Sequence, residues 1–309
     1  MQGKKVYIVI VNYQNWEDTL GCIESLLASS YPDFSILVVD NHSGNESLEQ
    51  IRKTVPASMD NVIVSRKVFS DTFRHQLLPK LVLIQNDSNA GFAAANNIVL
   101  QMVQQLDAYV WMLNPDMTVE QDAMQQLVDF ADQQQGKKII GSVVRSYEEK
   151  EKVLFYGGAT INFNTGTIKA ITHTDMLDKL DYISGASLFT HASSFAVAGL
   201  LPEHYFLIWE ETDWNYGARQ KGIEIAVCQT AVCYDKISTV IGKGFRAHYY
   251  YTRNGLYFIS KYRKGKTGLV LVFAGLRLLK RILTGQWGQA RGVWRGVFDY
   301  LKKKTHAME

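Results

Sequence analysis

The sequence predicts an α/β fold in which a doubly wound, mostly parallel sheet carries helices on both faces. Two observations predict it. Short apolar runs rich in β-branched residues alternate with helical patterns through the first 135 residues. The strands end in polar residues, at Asn12, Asp40, Asn86 and Asp116. Because parallel strands present their carboxyl ends at one edge of a sheet, these side chains predict a ligand crevice there.

The composition is that of a folded, reduced protein. The chain has 309 residues, of which 47% are hydrophobic and 20% are charged, so a substantial core is expected. Cys22, Cys228 and Cys233 form neither a disulfide framework nor a complete zinc motif, and we expect reduced, buried thiols. The apolar run near the amino terminus is too short for a signal peptide and indicates a first strand, hence a cytoplasmic protein.

Four strands and four helices alternate in the first half. The predicted strands are "VYIVIV", "FSILVVDN", "KLVLIQN" and "AYVWMLNPD". The predicted helices are "WEDTLGCIESLLASS", "SLEQIRK", "GFAAANNIVLQMVQQL" and "EQDAMQQLVDFADQQ". Residues 53–80 do not fit this alternation, and we interpret them as a long insertion that could form a flexible loop over the site.

The second half begins after Gly136 with a different pattern. The segment "LFYGGATINFNTGTIKA" predicts a hairpin that turns at Asn164–Gly166. The segments "HYYYTRNGLYFISKY" and "TGLVLVFAGLRLLKRIL" predict helices. Neither a repeat nor a low-complexity linker separates the halves, so we expect one continuous sheet to run through both.

The carboxyl-terminal segment is strongly basic. Residues 261–309 contain twelve Lys or Arg and two acids, a net charge of +10 in a chain whose total is +3. Arg277, Lys280 and Arg281 share one helical face, and the apolar run before them is too short to span a bilayer. The pattern predicts an amphipathic helix on an anionic membrane surface, with packing on the catalytic domain as the alternative. No nucleic-acid recognition motif accompanies the charge.

Several enzyme classes lack their motifs here. The first strand is not followed by G-x-G-x-x-G, and the sequence has no Walker A, H-E-x-x-H or G-x-S-x-G motif. These absences argue against a dinucleotide-binding oxidoreductase, a P-loop NTPase, a zincin and an α/β-hydrolase.

Six segments in order carry a family resemblance. They are "VNYQNWEDTLGCIESL", "ILVVDNHSGN", "NDSNAGFAAANN", "LNPDM", "SGASLF" and "FLIWEETDW". In this order and spacing they resemble glycosyltransferase family two, of the GT-A fold. Among its members the chain is most similar in motif to bacterial rhamnosyltransferase-like enzymes of surface-polysaccharide assembly. The resemblance extends from Val6 to Tyr262.

The resemblance implies roles for individual residues. The donor nucleotide-sugar would contact Asn12, Tyr13, Asp40, Asn41, Asn89, Gly91, Phe92, Asn96, Asn97 and Asn114. The acceptor and sugar pocket would include Ser184, Gly185, Ala186, Trp209 and Trp214. Asp116 would hold Mg²⁺ or Mn²⁺ in place of the family's Asp-x-Asp motif.

Physical chemistry supports the metal and base roles independently. A diphosphate leaving group accumulates charge that a divalent cation at Asp116 would neutralise, whereas the "NPD" motif alone is equally compatible with a type I turn. A sugar hydroxyl needs a general base. Glu211 is the first candidate, with Asp213 and Glu210 in reserve, since crowded carboxylates raise at least one pKa. The competing interpretation is a solvated helix start whose acids favour the dipole.

Two departures from the family pattern concern the site. The family usually has Asp where this chain has Glu211, which changes the reach of the base. Relatives often have a His near "CYDKIST", where this chain has Asp235 and Lys236. Metal or phosphate contacts are therefore expected to differ in that region.

Together these features predict an inverting, metal-dependent glycosyltransferase acting on a glycan or polyprenyl-linked glycan at the inner face of the cell membrane. The donor expected from the resemblance is dTDP-rhamnose, with UDP-hexoses open. The predicted catalytic domain covers residues 1–262, divided near 135 into nucleotide and acceptor halves, and residues 263–309 form the basic helical segment. The alternatives are a sugar nucleotidyltransferase and an inert nucleotide-sugar-binding protein.

Overall fold

The structure is a computed structural model that describes residues 3–56, 58–72, 78–237 and 244–304. The strands are β1 Val6–Asn12, β2 Phe34–Asp40, β3 Asn61–Ser65, β4 Leu81–Gln85, β5 Tyr109–Leu113, β6 Met117–Val119, β7 Lys138–Ser146, β8 Val153–Tyr156, β9 Gly158–Asn162, β10 Thr167–Ala170, β11 Tyr182–Ile183, β12 Ser187–His191 and β13 Glu224–Asp235. The helices are α1 Trp16–Leu27, α2 Ser47–Thr54, α3 Arg66–Thr72, α4 Phe92–Val103, α5 Ala123–Asp132, α6 Ser193–Ala198, α7 Glu210–Gln220, α8 Phe245–Tyr262, α9 Thr267–Leu283 and α10 Trp287–Leu301.

The nucleotide half is a parallel sheet in the order β3-β4-β2-β1-β5. Alternate residues of its strands point to opposite cores, as with Ile8 on one face and Val9 on the other. Helices α1, α2 and α5 cover the first face, and α3, α4, α6 and α7 cover the second. This arrangement confirms the predicted doubly wound α/β fold, and the three cysteines are reduced and buried as expected.

The interpretation of residues 53–80 as an insertion over the site was wrong for the part that the structure describes. Residues 61–65 form β3, which pairs in parallel with β4 at the outer edge of the sheet. Helix α3 follows and buries Phe69 in the core. The strand was missed because β3 is only partly buried and its five residues carry a weak pattern. Residues 73–77, also within the predicted loop, lie outside the described ranges.

The main sheet continues into the second half in the order β5-β12-β7-β13-β6, with β8 beside β7. Pairing becomes mixed there, since β12 runs antiparallel to both neighbours while β7 and β13 are parallel. The predicted hairpin is β9–β10, closed by a bond from the Gly166 amide to the Asn162 carbonyl at 2.8 Å. With β11 it forms a separate three-stranded sheet beside the main one.

The predicted carboxyl-terminal helices are α8 and α9, and the structure adds α10. Gly292 and Gly296 of α10 lie against the backbone of α8, where a Cβ on Gly296 would approach the Tyr249 carbonyl oxygen to 2.8 Å. The Tyr249 hydroxyl donates to Asp299 Oδ2 at 2.9 Å within this contact. Helix α10 is therefore packed against α8 of the predicted catalytic domain, and removing it would expose the face of α8 that it covers.

Helix α9 packs on the protein and also exposes an apolar face. It buries Val270 and Ala274. The Arg277 guanidinium lies 5.7 Å from the centre of the Tyr251 ring, so this residue turns inward instead of joining an exposed basic face as predicted. The outward residues form what we call the α9 stripe: Leu269, Val272, Leu276, Leu279 and Leu283. Among the residues that the structure describes, no helix has the length and apolar composition needed to cross a bilayer.

Candidate functional site

Asp40, itself buried, lies at the carboxyl end of β2 in the centre of a set of hydrogen bonds. Asn12 at the end of β1 donates from Nδ2 to Asp40 Oδ1 at 2.6 Å. Gln85 Nε2 and the Ser43 backbone amide donate to Asp40 Oδ2 at 2.9 and 3.0 Å, and the Ser43 hydroxyl donates to Oδ1. The parallel register, which places Asn12 opposite Asp40 and Asp40 opposite Gln85, assembles this set.

Asparagine amides extend the hydrogen bonds to the next loops. Asn86 Nδ2 donates to Asn41 Oδ1 at 3.0 Å, and Asn41 Nδ2 donates to Asn89 Oδ1 at 2.9 Å. The Gly91 amide donates to the same Asn89 oxygen at 3.1 Å. The carboxyl-edge network is defined by these side chains: Asn12, Asp40, Asn41, Ser43, Gln85, Asn86 and Asn89. The structure thus brings four of the ten predicted donor-contact residues, Asn12, Asp40, Asn41 and Asn89, together at the edge of the sheet, with the Gly91 amide bonded to them.

Gly91 links this network to the opposite side of the crevice. Its φ is +89°, in the region that favours glycine, and α4 starts at the next residue. The Phe92 amide donates to the Phe206 carbonyl oxygen at 2.8 Å. A Cβ on Gly91 would overlap that oxygen and lie 2.8 Å from Phe206 Cα. Glycine is therefore required for the close approach of the two loops.

The remaining predicted donor contacts of the first half differ in position. Tyr13 follows β1 and is half-buried. Asn96 Nδ2 donates to the Phe92 carbonyl at 2.9 Å, inside α4. Asn97 exchanges hydrogen bonds with the Leu201 backbone, at 2.9 and 3.1 Å, so its amide is engaged in holding α4 to that segment.

Asp116 lies three residues beyond β5 and is 8% exposed. The Asn114 amide donates to the Ala186 carbonyl at 3.0 Å, which ties this turn to the predicted acceptor loop. The Lys236 amide donates to the Asp116 carbonyl at 3.2 Å, and Lys236 Nζ pairs with Asp18 Oδ1 at 3.0 Å. The sequence identified Lys236 as a departure from the family but carried no signal for its partner, since Asp18 is 218 residues distant.

Asp116 offers one carboxylate, so an ion held there would have to complete its coordination with phosphate and water. The described residues contain no group of three or more His, Cys, Asp or Glu side chains that could hold an ion by themselves. Mg²⁺ is commonly bound by one or two carboxylates together with substrate phosphates and water. A single carboxylate at the edge of the sheet therefore suits an ion that arrives with a diphosphate.

Asp213, one of the three predicted acids, is paired and buried. Lys261 Nζ contacts both carboxylate oxygens, at 2.7 and 2.9 Å, and the Tyr262 hydroxyl donates to Oδ1. Neither partner was identified in the sequence, since both lie on α8, almost fifty residues later. These contacts occupy the carboxylate and give Asp213 the geometry of a residue that joins α7 to α8.

Glu210 and Glu211 begin α7 and have different surroundings from Asp213. Burial, and then the charge of Glu211, holds the pKa of Glu210 well above its ordinary value. Burial also raises the pKa of Glu211, against opposing backbone hydrogen bonds. Within the described part of the chain, each carboxylate has one buried oxygen, Oε2, without a hydrogen-bond partner. Such a group holds a proton more readily and can exchange it nearer neutral pH.

Glu211 lies where the predicted acceptor loop meets the first residue of α4, Phe92. A methyl group on Gly185 would lie 3.4 Å from Glu211 Cβ and Cγ and 3.5 Å from Phe92 Cε1. The Ser184 hydroxyl shapes this loop by accepting from the Ala186 amide at 3.3 Å. The Glu211 side chain, the Phe92 ring and the buried Gly185 backbone therefore meet at the predicted acceptor loop.

The two tryptophans predicted to line the acceptor pocket lie in the core instead. Trp209 is 0% exposed and donates from Nε1 to the Tyr251 carbonyl at 3.1 Å. Trp214 donates to the Gly199 carbonyl at 2.6 Å and stacks on Phe195. Both indole rings are buried and both ring nitrogens donate to backbone carbonyls, so these aromatics pack in the core.

Comparison with known proteins identifies the family. The sequence model of "Glycosyl transferase family 2" matches residues 7–192. The low-salt glycan biosynthesis hexosyltransferase Agl10 of Haloferax volcanii is 24% identical over 208 residues. The alignment covers 64% of this chain and 65% of Agl10, so the chain spans slightly less than two thirds of that relative.

Solved structures share the fold at low identity. The mannosyltransferase PcManGT from Pyrobaculum calidifontis, in complex with GDP-Man and Mn²⁺, superposes with a TM-score of 0.57 at 11% identity, covering 98% of this chain and 88% of that one. Residues 1–349 of S. aureus TarS in complex with UDP-GlcNAc give a TM-score of 0.51 at 13% identity, covering 87% and 71%. These similarities confirm the predicted GT-A fold.

Proposed function

The chain belongs to glycosyl transferase family 2, and we propose that it transfers a sugar from a nucleotide-diphosphate donor to a hydroxyl group of a glycan. The observation that carries the proposal is the meeting of Glu211, Gly185 and Phe92 at the acceptor loop, next to the Gly91 backbone that bonds to the carboxyl-edge network. One side presents the carboxyl-edge network, a polar surface of fixed shape that we assign to the nucleotide, and the other presents a carboxylate whose pKa burial raises. A donor bound between them would expose its anomeric carbon to Glu211.

The chemistry then follows from these positions. Glu211 takes the proton of the acceptor hydroxyl, and the oxygen forms a bond to the anomeric carbon. The bond from that carbon to the diphosphate breaks, and the diphosphate leaves with the electron pair. Mg²⁺ or Mn²⁺ at Asp116 would supply Lewis-acid neutralisation of that charge when bound. A base opposite the leaving group would give an in-line displacement that inverts the anomeric configuration.

Glu211 suits the role of base better than its two neighbours. Lys261 and Tyr262 occupy the Asp213 carboxylate. Glu210 is almost fully buried, and burial and the Glu211 charge raise its pKa well above the ordinary value. Glu211 alone is both half-buried and adjacent to Gly185.

The donor is a nucleotide-sugar, and its nucleotide and its sugar can be identified by experiment. Two structural neighbours were solved in complex with GDP-Man and with UDP-GlcNAc. The resemblance to rhamnosyltransferase-like enzymes implies dTDP-rhamnose, with UDP-hexoses open. A thermal-shift screen of UDP, dTDP and GDP, each with Mn²⁺ and with a chelator, identifies the nucleotide because a ligand that binds the native state raises Tm. Incubation with the matching sugar donors then tests turnover. Release of nucleotide with the metal, and none with the chelator, is expected; absence of release from every donor would overturn the proposal.

A membrane surface is the proposed location of the acceptor. The α9 stripe is apolar and exposed, and the segment that contains it carries a net charge of +10. A second copy of this chain would bring equal positive charge to the stripe, whereas an anionic bilayer attracts it. We therefore assign the stripe to the inner membrane surface and the acceptor to a lipid-linked, polyprenyl-type glycan.

The proposed catalytic unit is residues 1–262, with nucleotide and acceptor halves that meet near residue 135. Residues 263–309 form the proposed membrane-facing segment. Because α10 packs on α8, this segment is best tested by surface substitutions that keep both helices in place.

A further inference from the structure

The five residues Tyr205–Trp209, which we call the 205–209 loop, lead directly into the acids of α7. Three of them have positive φ without being glycine: Phe206 at +65°, Ile208 at +67° and Trp209 at +83°. Such angles are unfavourable for side chains with a Cβ, and most of all for a β-branched residue such as Ile208. They persist only where surrounding contacts hold the backbone in place.

Asn254 of α8 supplies such contacts. Its side chain is 0% exposed, and its Nδ2 donates to the carbonyl oxygens of Tyr205, Leu207 and Ile208 at 3.0, 2.7 and 2.8 Å. One amide group thus gathers three carbonyls onto one side of the loop. Its own Oδ1 accepts from Arg253 Nε at 2.9 Å, which fixes the orientation of the amide.

Arg253 adds a second contact and connects the loop to the carboxyl-terminal helices. Its Nη2 donates to the Tyr205 carbonyl at 2.9 Å, and its Nη1 donates to the Tyr249 hydroxyl at 3.2 Å. Tyr249 donates in turn to Asp299 of α10. The loop is therefore held from a continuous, buried set of polar contacts that spans two helices.

The loop touches the reacting region at both ends. Its Phe206 carbonyl accepts from the Phe92 amide, at the start of α4. Its last residue, Trp209, caps α7, and the Trp209 carbonyl accepts from the Asp213 amide at 2.8 Å. Any relaxation of the loop would move the first turn of α7, and with it Glu211, relative to Gly185 and Phe92.

We propose that Asn254 is a positioning residue for the transfer reaction: by gathering three carbonyls of the 205–209 loop, it holds Glu211 at the acceptor loop. The inference rests on the proposed function, in which Glu211 is the base. Without the amide, three carbonyls lose a donor, and the backbone relaxes from its positive φ angles. Since displacement of a catalytic group by about 1 Å can reduce a rate by about 10²-fold, the rate should depend on Asn254 although it touches no substrate.

The test compares Asn254→Ala with the milder Asn254→Ser and with Thr190→Ala. Thr190 is also 0% exposed and donates to the Lys138 carbonyl at 2.8 Å, at the other end of β12 from the site. It therefore controls for loss of a buried hydrogen bond. For Asn254→Ala we expect kcat to fall by about 10- to 100-fold while KM for the donor and nucleotide affinity stay within about threefold. Asn254→Ser, which retains one donor, should lose less.

The pH profile provides a readout that general destabilisation does not change. Glu211 is faced by Glu210 on its own helix and by Tyr182 of β11, whose pKa is raised by burial and by Glu211. If the loop relaxes and water reaches the two glutamates, their pKa values fall and the acid limb of kcat moves to lower pH. Thr190→Ala should lower Tm without moving that limb.

A double variant adds a rescue test. Glycine adopts positive φ without the strain that a Cβ imposes, so Ile208→Gly should restore part of the kcat lost in Asn254→Ala. Rescue is not expected if Asn254 acts only on global stability, since Ile208→Gly also removes a half-buried side chain.

Hydrogen exchange of the amides in residues 205–213 separates this inference from the proposed function. Asn254→Ala should accelerate exchange there, and Thr190→Ala should not, whether or not the protein transfers sugar. Faster exchange in a chain that shows no transfer from any donor would refute the proposed function and leave only the loop contact. Unchanged exchange, or a kcat within threefold of wild type with an unmoved acid limb, would overturn the role of Asn254.

Discussion

The carboxyl-edge network and the start of α7 differ in how far their polar side chains are hydrogen-bonded. In the carboxyl-edge network the side chains satisfy one another, and Asp40 alone accepts from three different residues. At the start of α7, Glu210 and Glu211 each retain a buried oxygen with no hydrogen-bond partner among the described residues. One cluster is complete in itself, and the other is incomplete.

This difference indicates that the two clusters have different functions. A satisfied buried network fixes the shape of a surface, because no member can move without losing bonds. A buried carboxylate that lacks partners has a raised pKa and keeps its proton to a higher pH than an exposed carboxylate does. We therefore assign nucleotide recognition to the carboxyl-edge network and proton transfer to the start of α7.

Removal of the proposed base should have the largest effect. Glu211→Gln should retain nucleotide affinity but lose transfer by about 10²–10⁴-fold, because the amide cannot take the acceptor proton. The matched control is Glu210→Gln. Since the pKa of Glu210 is raised well above its ordinary value, its neutral amide analogue should leave transfer within about threefold. The reverse pattern in steady-state kinetics would move the base to Glu210.

Asp116→Asn should have the next largest effect, on the recognition side. Loss of the carboxylate weakens metal-dependent donor binding and removes several kcal/mol of charge stabilisation, or about 10²–10³-fold in turnover. Titration of donor hydrolysis with Mn²⁺ measures both. Asp87→Asn, an exposed carboxylate beyond β4, serves as the control and should behave as wild type. Unchanged metal dependence in Asp116→Asn would contradict the metal role.

Gly91→Ala tests the contact between the two sides. The Cβ would overlap the Phe206 carbonyl, so the loops must separate, and we expect about tenfold weaker donor affinity together with a lower Tm. Gly222→Ala is a matched control, since Gly222 has φ +85° and no atom within 4 Å of the added Cβ. Both variants share backbone strain, and only Gly91→Ala should alter donor binding. Equal donor affinity in Gly91→Ala and Gly222→Ala would show that the contact between Gly91 and Phe206 does not contribute to donor binding.

The pH dependence of the free energy of unfolding tests whether the pKa of Glu210 is raised in the folded protein. Glu210 has a folded-state pKa above its ordinary 4.5, so its stabilising contribution is complete below about pH 4.5 and is lost as pH rises through the raised value. Glu210→Gln does not titrate and should gain stability relative to wild type as pH rises, by about 1.4 kcal/mol per unit of pKa shift. Denaturation of both proteins from acid to neutral pH measures this, and parallel curves would show that Glu210 is not perturbed.

The sequence predicted one side of the crevice better than the other, for a physical reason. Asn12, Asp40 and Asn86 follow directly after strong parallel strands, so strand ends and register place them together. The partners of Asp213 and the 205–209 loop come from α8, and no local pattern encodes a contact between residues about fifty positions apart. Trp209 and Trp214 were assigned to the pocket because an aromatic beside an acid has the same sequence pattern in a core and in a cleft.

A membrane that contacts the α9 stripe would lie nearer to α7 and α8 than to the carboxyl-edge network. Helix α9 packs on the helices that hold the 205–209 loop, so an anchor there should affect access to the acceptor and leave the carboxyl-edge network alone. Leu276→Gln/Leu279→Gln removes two residues of the α9 stripe that are 55% and 51% exposed. Leu106→Gln/Val197→Gln, exposed apolar residues elsewhere, is the control.

Full insertion of a leucine contributes about 1.5–3 kcal/mol, and each basic residue near an anionic surface about 1 kcal/mol. We therefore expect the stripe variant to bind anionic vesicles at least tenfold more weakly, with salt weakening both proteins and neutral vesicles binding neither well. Nucleotide affinity and transfer to a water-soluble acceptor should be unchanged, because the stripe lies outside the crevice, whereas transfer to a lipid-linked acceptor in vesicles should fall several-fold. Sedimentation velocity tests the opposing interpretation, in which the α9 stripe joins two copies of the chain. If the stripe variant changes the oligomeric state and leaves vesicle binding unchanged, α9 is a dimer contact and not a membrane anchor.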